Sequence, residues 1–284
     1  MSSAPTAPRP LTPVLLTGLV DDAAVFPPGN SPLDAAVEEH LRRAGTALGR
    51  FVGPLLVPAT SAAELVDRAA GRSLRAGLIS RPGSPVEPML DGVKLLQDRT
   101  DVVLAGVEAG WSATWQELLD TELPVTVEIP RDGFEDALED VALARREGAA
   151  VQAKFRTGAT ESWAWPDEVE LAGFMCGCLE RGMPFKLTGG LHHVVRAEHG
   201  SADAADPQHG LLNILLGVHR ARCGADAAAV ADVLAERSLE QLAAPLRALH
   251  DEQAARVREV FTAYGCCTVT DPLGELAELD LLPA

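Results

Sequence analysis

The sequence predicts an α/β chain folded as a single-domain (β/α)8 TIM barrel, on three observations. Eight short apolar runs alternate with amphipathic stretches along the 284 residues, which is the pattern of repeated strand and helix units and so of a parallel sheet. Eight such units in about 250 residues fit a closed barrel with its active site at the strand C-termini. No Gly-rich nucleotide loop follows the first run, which argues against an open doubly wound sheet.

Taken in order, "MSSAPTAPRP" is rich in Pro and Ser and reads as a flexible leader over residues 1–10, with the barrel over 11–284. It lacks a basic region followed by an apolar stretch, so it does not read as a secretion signal, and a cytoplasmic protein is expected. The strand candidates are "PVLLTGLV", "FVGPLLVPA", "RAGLIS", "DVVLAGVEA", "PVTVEIP", "AAVQAKF", "MPFKLTG" and "AYGCCTV". Helix candidates lie between them: "SPLDAAVEEHLRRAGTALG", "SAAELVDRAAG", "GFEDALEDVALARREG" and "WPDEVELAGFMCGCLERG", several starting at Ser or Asp and closing on Gly, as caps prefer.

Composition narrows the function. At 47% hydrophobic the chain can bury a large core, yet it holds no run of about 18 uncharged apolar residues that would span a membrane. The formal charge of −17 supplies no basic footprint, so neither nucleic acid nor anionic lipid is an expected partner. Five cysteines, Cys176, Cys178, Cys223, Cys266 and Cys267, have no CxxC spacing and read as reduced core thiols.

Of 24 basic residues only Lys94, Lys154 and Lys186 are lysines, and the last two stand at matching places in "VQAKFRTGAT" and "MPFKLTGGLHH". In a strand, residues two apart share a face. Gln152, Lys154 and Arg156 therefore face one way, with Val151, Ala153 and Phe155 behind them. Lys186 and Thr188 share a face in the next strand, and Thr126 and Glu128 in the preceding one. Charged groups cannot sit under the helices, so these faces line the barrel interior. Two ammonium groups on strands about 4.8 Å apart, in a partly dry cavity, are expected to depress each other's pKa. A lysine that is neutral at pH 7 attacks a carbonyl carbon and forms a Schiff base, an electron sink for the neighbouring carbon–carbon bond. The plainer alternative is that both lysines merely pair with Glu128 and other carboxylates.

"KFRTG" followed by "FKLTGGL" resembles the sixth- and seventh-strand signatures of the deoxyribose-phosphate aldolase family of class I aldolases, and "PVTVEIPRDGFEDALEDVALARREGAA" is similar to that family's preceding strand and helix. "VDDAAVFPPG" is a weaker parallel at the first strand. The likeness covers residues 123–192. It implies a (β/α)8 barrel in which Lys154 matches the Schiff-base lysine and Lys186 the lysine that tunes it. The chain departs where that family has a Ser-rich phosphate loop, reading "YGCCTVTDP" instead. Arg156 replaces a small residue and suits a substrate carboxylate or phosphate, or else pairs with Glu128 or Asp21.

The site expected from these readings has Lys154, Lys186, Glu128, His192, His193 and Asp21 in chemistry. Arg156, Thr157, Thr188, Gly189, Gly190 and Trp163 are expected around the substrate. His192 and His193 supply acid or base, or with His199, His209 or Asp203 hold a metal. Trp163 and Trp165 form a lid or pack on a second copy in a homo-oligomer, while His40, His219 and His250 read as surface or capping residues. The function expected is a class I aldolase-like carbon–carbon lyase or condensing enzyme, without cofactor or metal, acting on a small and anionic carbonyl substrate. Its alternatives are a metal-assisted barrel isomerase or hydrolase using His192 or His193, and a barrel that binds a small acid without catalysis.

Overall fold

A computed structural model describes residues 9–161, 163–201 and 204–283; most of the expected leader, with Asp203, lies outside them. In chain order the elements are α1 (Pro13–Leu16), β1 (Val20–Asp22), α2 (Leu33–Ala44), β2 (Val52–Pro58), α3 (Ala62–Ala69), β3 (Leu74–Ile79), α4 (Glu87–Leu96), β4 (Val102–Gly110), β5 (Val125–Glu128), α5 (Phe134–Arg146), β6 (Val151–Arg156), α6 (Glu168–Glu180), β7 (Phe185–Thr188), β8 (Ala197–Ser201), β9 (Ala204–Gln208), α7 (Leu211–Arg222), α8 (Ala227–Ala235), α9 (Leu239–Arg247), α10 (Asp251–Arg258), β10 (Phe261–Cys266) and α11 (Thr270–Glu278). Eight parallel strands close in the order β1-β10-β7-β6-β5-β4-β3-β2, with β8 and β9 a separate antiparallel hairpin. The fold is the (β/α)8 barrel that the alternating runs predict.

Strand alternation divides inside from outside. On the outer faces of β6, β7 and β10, Phe155, Phe185 and Phe261 join Phe174 of α6 in a run of ring contacts with centroids 4.8 to 5.6 Å apart. Each is buried to 2% exposure or less, and burying such a side chain contributes roughly 1.5–3 kcal/mol. That outer packing leaves the lysines only the inward direction. Asp167 caps α6 by accepting from the Glu170 amide at 2.8 Å, the role that "PDE" at the helix start suits.

Two stretches differ from expectation. "PVLL" is a helical turn and not the start of a strand, because Thr12 and Pro13 form an N-terminal cap and first turn there, and β1 is only Val20–Asp22. The crossover from β7 to β10 is also longer than one helix: it holds the hairpin and α7 to α10. Residues Leu211 to Val218 of α7 are all buried, as expected of a helix covered on every side. Asn213 pins this insertion from within. Its Oδ1 accepts from the Arg196 amide at 2.9 Å, and its Nδ2 donates to the carbonyls of Val233 at 2.9 Å and Glu236 at 2.7 Å.

Candidate active site

The register puts Lys154 opposite Glu128 on one neighbouring strand and opposite Lys186 on the other. The lysines do not face each other unshielded. Glu108 of β4 reaches between them, accepting from Lys154 Nζ at 2.9 Å with one oxygen and from Lys186 with the other. Glu128 lies 3.1 Å from Lys154, and Asp21 of β1 closes the far side as the second partner of Lys186. Arg156 donates from Nε to Glu128 at 3.2 Å. Three carboxylates and three cations thus form one interior cluster, in which both lysines are 3% exposed. Gly53 makes room for it, since a Cβ there would stand 1.8 Å from Asp21 Oδ1.

This arrangement reverses one expectation. Burial does work against the charge on Lys154, and Lys186 adds repulsion, but Glu108 and Glu128 outweigh both and hold the ammonium above its ordinary range. For Lys186, burial is likewise outweighed by Asp21 and then Glu108. Both lysines rest as ammonium groups, so the predicted mutual depression is corrected by carboxylates from β1 and β4. Burial also opposes charge on Glu108, yet Lys186 and Lys154 bring its carboxyl down to about 2. Glu128 is lowered by Lys154 and Arg156 against the same burial. Burial pushes Asp21 up against the pull of Lys186; with Lys186 in direct contact, the ion-paired form is the one the geometry favours.

The rim at the strand C-termini is built from the other expected residues. Thr157 is fully buried and donates to the carbonyls of Thr188, at 3.2 Å, and Gly189. It braces β6 against β7, and this commitment replaces the substrate contact expected of its hydroxyl. Thr188 Oγ1 faces inward, 3.4 Å from where a Cβ of Gly265 would lie. Gly189 and Gly190 have φ of 75° and 72°, the left-handed region that favours glycine. A Cβ on Gly190 would meet the Trp165 ring at 2.3 Å, so Trp165 and not Trp163 covers this turn. Trp163 instead carries the Arg131 guanidinium over its ring at 5.5 Å. Arg156 keeps 35% of its side chain exposed at the rim.

Neither histidine joins the lysine cluster. His192 Nδ1 is 2.9 Å from Asp271, its Nε2 is 3.4 Å from Cys267 Sγ, and Cys266 Sγ lies 3.8 Å from Nδ1. His193 pairs with Glu275 and stacks on His199 at 3.3 Å between ring centroids. One face of α11 therefore grips both imidazoles, through carboxylates four residues apart. His209 is buried elsewhere, between Arg196 at 3.0 Å and the Pro166 carbonyl at 2.9 Å, and burial followed by Arg196 lowers it to about 4. Among the described residues no three His, Cys, Asp or Glu side chains are arranged to hold a metal ion. His40 is no surface residue: it is buried, 3.0 Å from Asp22, beside Arg43. His250 does cap α10.

A cavity of about 190 Å³ borders the cluster from the opposite end of the barrel. Its lining includes Asp21, Arg75, Glu108 and Lys186, with Gln152 and Thr262 from early strand positions. The room comes from Gly77, Gly106, Ala105 and Ala263, which put little or no side chain into the lower barrel.

Glu108 is the main residue that sequence reasoning missed. Its signal was a lone carboxylate inside the apolar run "DVVLAGVEA", which becomes meaningful once a closed barrel brings β4 across from β7. Cys267, Asp271 and Glu275 were missed for a similar reason, since only the fold brings α11 to the segment after β7.

Fold and site together define a (β/α)8 barrel with a buried cluster of lysines and carboxylates. No protein-family model matches the chain, and no curated protein matches it in sequence. Among solved structures it is similar to a deoxyribose phosphate aldolase from Aeropyrum pernix, with a TM-score of 0.40 and 11% identity over 94% of this chain and 93% of that one. It is also similar to a hydroxymethylglutaryl-CoA lyase from Pseudomonas aeruginosa, with a TM-score of 0.37 and 11% identity over 80% of each chain. These likenesses are at the level of the barrel fold. No helix among the described residues is long and apolar enough to cross a membrane.

Proposed function

We propose that the chain is an aldolase-like carbon–carbon lyase or condensing enzyme that acts on a small anionic carbonyl compound through a Schiff base on Lys154. The supporting observation is the lysine pair on adjacent inward strand faces, bridged by Glu108. The imine is assigned to Lys154 because it shares its strand face with Arg156, the cation that keeps 35% of its side chain exposed at the rim.

In the reaction proposed, the Lys154 ammonium passes a proton to Glu128, 3.1 Å away. The pair becomes neutral, a modest change where low dielectric disfavours charge. The amine then adds to the carbonyl carbon, and the carboxylic acid returns its proton as hydroxyl leaves as water. The iminium restores a positive charge where the ammonium stood, so the carboxylates keep their partner. In cleavage Glu128 takes the proton of the β-hydroxyl, and that O–H pair forms the carbonyl of the released fragment. The carbon–carbon bond pair becomes the enamine double bond, and the C=N π pair moves onto nitrogen. Glu128 then protonates the enamine carbon, and water hydrolyses the iminium to free the lysine. Lys186 remains cationic throughout and holds Glu108 ionised. Arg156, at the exposed rim, pairs with the substrate's anionic group.

A second reading places the imine on Lys186, favoured by the cavity that Lys186, Asp21 and Glu108 line. Borohydride reduction in the presence of small aldehydes and 2-oxo acids, followed by peptide mass spectrometry, separates the two. Adduct at Lys154 is expected. Adduct at Lys186 alone selects the second reading, and no adduct across a broad carbonyl panel refutes both.

A further inference from the structure

A second nucleophilic centre lies at the barrel rim, apart from the lysines. Cys267 follows β10, where Ala263 and Gly265 precede it at alternate positions, and its Sγ is 3.4 Å from His192 Nε2. The other ring nitrogen is 2.9 Å from Asp271 Oδ2 at the start of α11. A carboxylate on Nδ1 accepts that N–H and so orients the ring, turning Nε2 toward the sulfur, whose proton it takes. This is the relation of nucleophile, base and orienting acid used in covalent catalysis. The segment after β1 adds a further contact. Gly29 lets that segment pass close to Cys267, since a Cβ there would lie 3.1 Å from Cys267 Cβ and 2.9 Å from the Ala24 carbonyl.

We propose that Cys267, His192 and Asp271 form an acyl-accepting thiol site whose ligands are activated esters or thioesters. The thiol proton moves to His192 Nε2, and the sulfur pair forms a bond to the acyl carbon as the carbonyl π pair moves onto oxygen. That pair returns as the bond to the leaving oxygen or sulfur breaks, and the leaving group takes the proton from Nε2. Water then gives a proton to Nε2 and adds to the thioester carbon. The acid departs, and the sulfur recovers its proton.

The titratable groups facing the thiol are His192 from the segment after β7, Cys266 beside it, and Asp271 of α11 through the imidazole. Cys266 does not compete as a nucleophile, because burial raises its thiol and its Sγ is committed to the Thr268 carbonyl at 3.3 Å. Burial also opposes ionisation of Cys267, but His192 outweighs it, helped by Thr268 and the Gly29 amide, and brings the thiol below its ordinary value. The imidazole is held above its own ordinary value, by Cys266 first and then by Cys267 and Asp271. Thiolate and imidazolium thus support each other.

The test is acetylation of the whole chain by p-nitrophenyl acetate across a pH series, with sites read by peptide mass spectrometry. One acetyl group at Cys267 is expected when the reaction is quenched in acid before the thioester hydrolyses, with a rate midpoint below the ordinary thiol value of about 8.5. At pH 6, His192→Asn should slow it on the order of tenfold and move the midpoint up. Cys266→Ser should retain the label, and Asp271→Asn serves as a milder variant should His192→Asn fail to fold. Acetylation chiefly at exposed Cys223, transfer of the label to Cys266, or an unchanged pH profile in both the His192 and Asp271 variants would overturn the proposal. Cys267→Ser should leave borohydride trapping on lysine intact, so this reading and the imine reading fail separately.

Discussion

Glu108→Gln removes the carboxylate shared by both lysines with little change of volume. In the folded chain that carboxyl stands at about 2 against an ordinary 4.5. A lowering of that size corresponds to about 3 kcal/mol of stability. This falls at the lower end of the roughly 3–5 kcal/mol found when one partner of a buried ion pair is removed. The sign follows from the depressed value: the contribution is complete above about pH 5 and is lost as pH falls through 4.5 toward 2. Urea unfolding followed by tryptophan fluorescence should show Glu108→Gln less stable by about 3 kcal/mol at neutral pH, a loss of about 10 °C in Tm. The gap between the two proteins should narrow as the medium is acidified through that window. A gap that stays constant down to about pH 3, or a variant as stable as the parent at neutral pH, would mean that Glu108 does not hold the lysines in solution.

Two further outcomes are expected. Arg156→Lys should leave Tm within a few degrees, because the group is a third exposed, but weaken binding of an anionic carbonyl compound by about tenfold, read by isothermal titration, since a point charge does not reproduce the guanidinium fork. Asn213→Leu should destabilise the chain by about 3 kcal/mol in urea unfolding, because the Arg196 amide and the carbonyls of Val233 and Glu236 lose their buried partner.

The barrel and its lysine faces were legible because they rest on local period-two alternation: Phe155 and Leu187 fix the outward direction, and Lys154 and Lys186 take what remains. The charge state of the lysines was not legible. It depends on Glu108, which lies 46 and 78 residues from its two partners, and on Asp21, 165 residues from Lys186. No pattern within a strand reports which carboxylate a closed sheet will bring opposite. The two tryptophans show the limit of resolution at short range, since Trp163 and Trp165 share a loop and only the glycine surface of the β7 turn selects Trp165 as its neighbour. "PVLL" was misread because an apolar run beside a strand has the composition of a strand, while Thr12 as cap and Pro13 in the first turn start a helix there.

The balance of Asp21, Glu108 and Glu128 against Lys154, Lys186 and Arg156 has a consequence outside the barrel. Because that interior sums to zero, the formal charge of −17 belongs to the outer shell. On the proposed function, an anionic substrate therefore crosses a net repulsive field before reaching Arg156 and the lysines, the opposite of electrostatic steering. Screening over the roughly 10 Å Debye length of 0.1 M salt weakens that barrier, while a neutral interior passes little of its own field outward. For the anionic substrate proposed, the encounter is expected to quicken with ionic strength and to be slowest in dilute buffer.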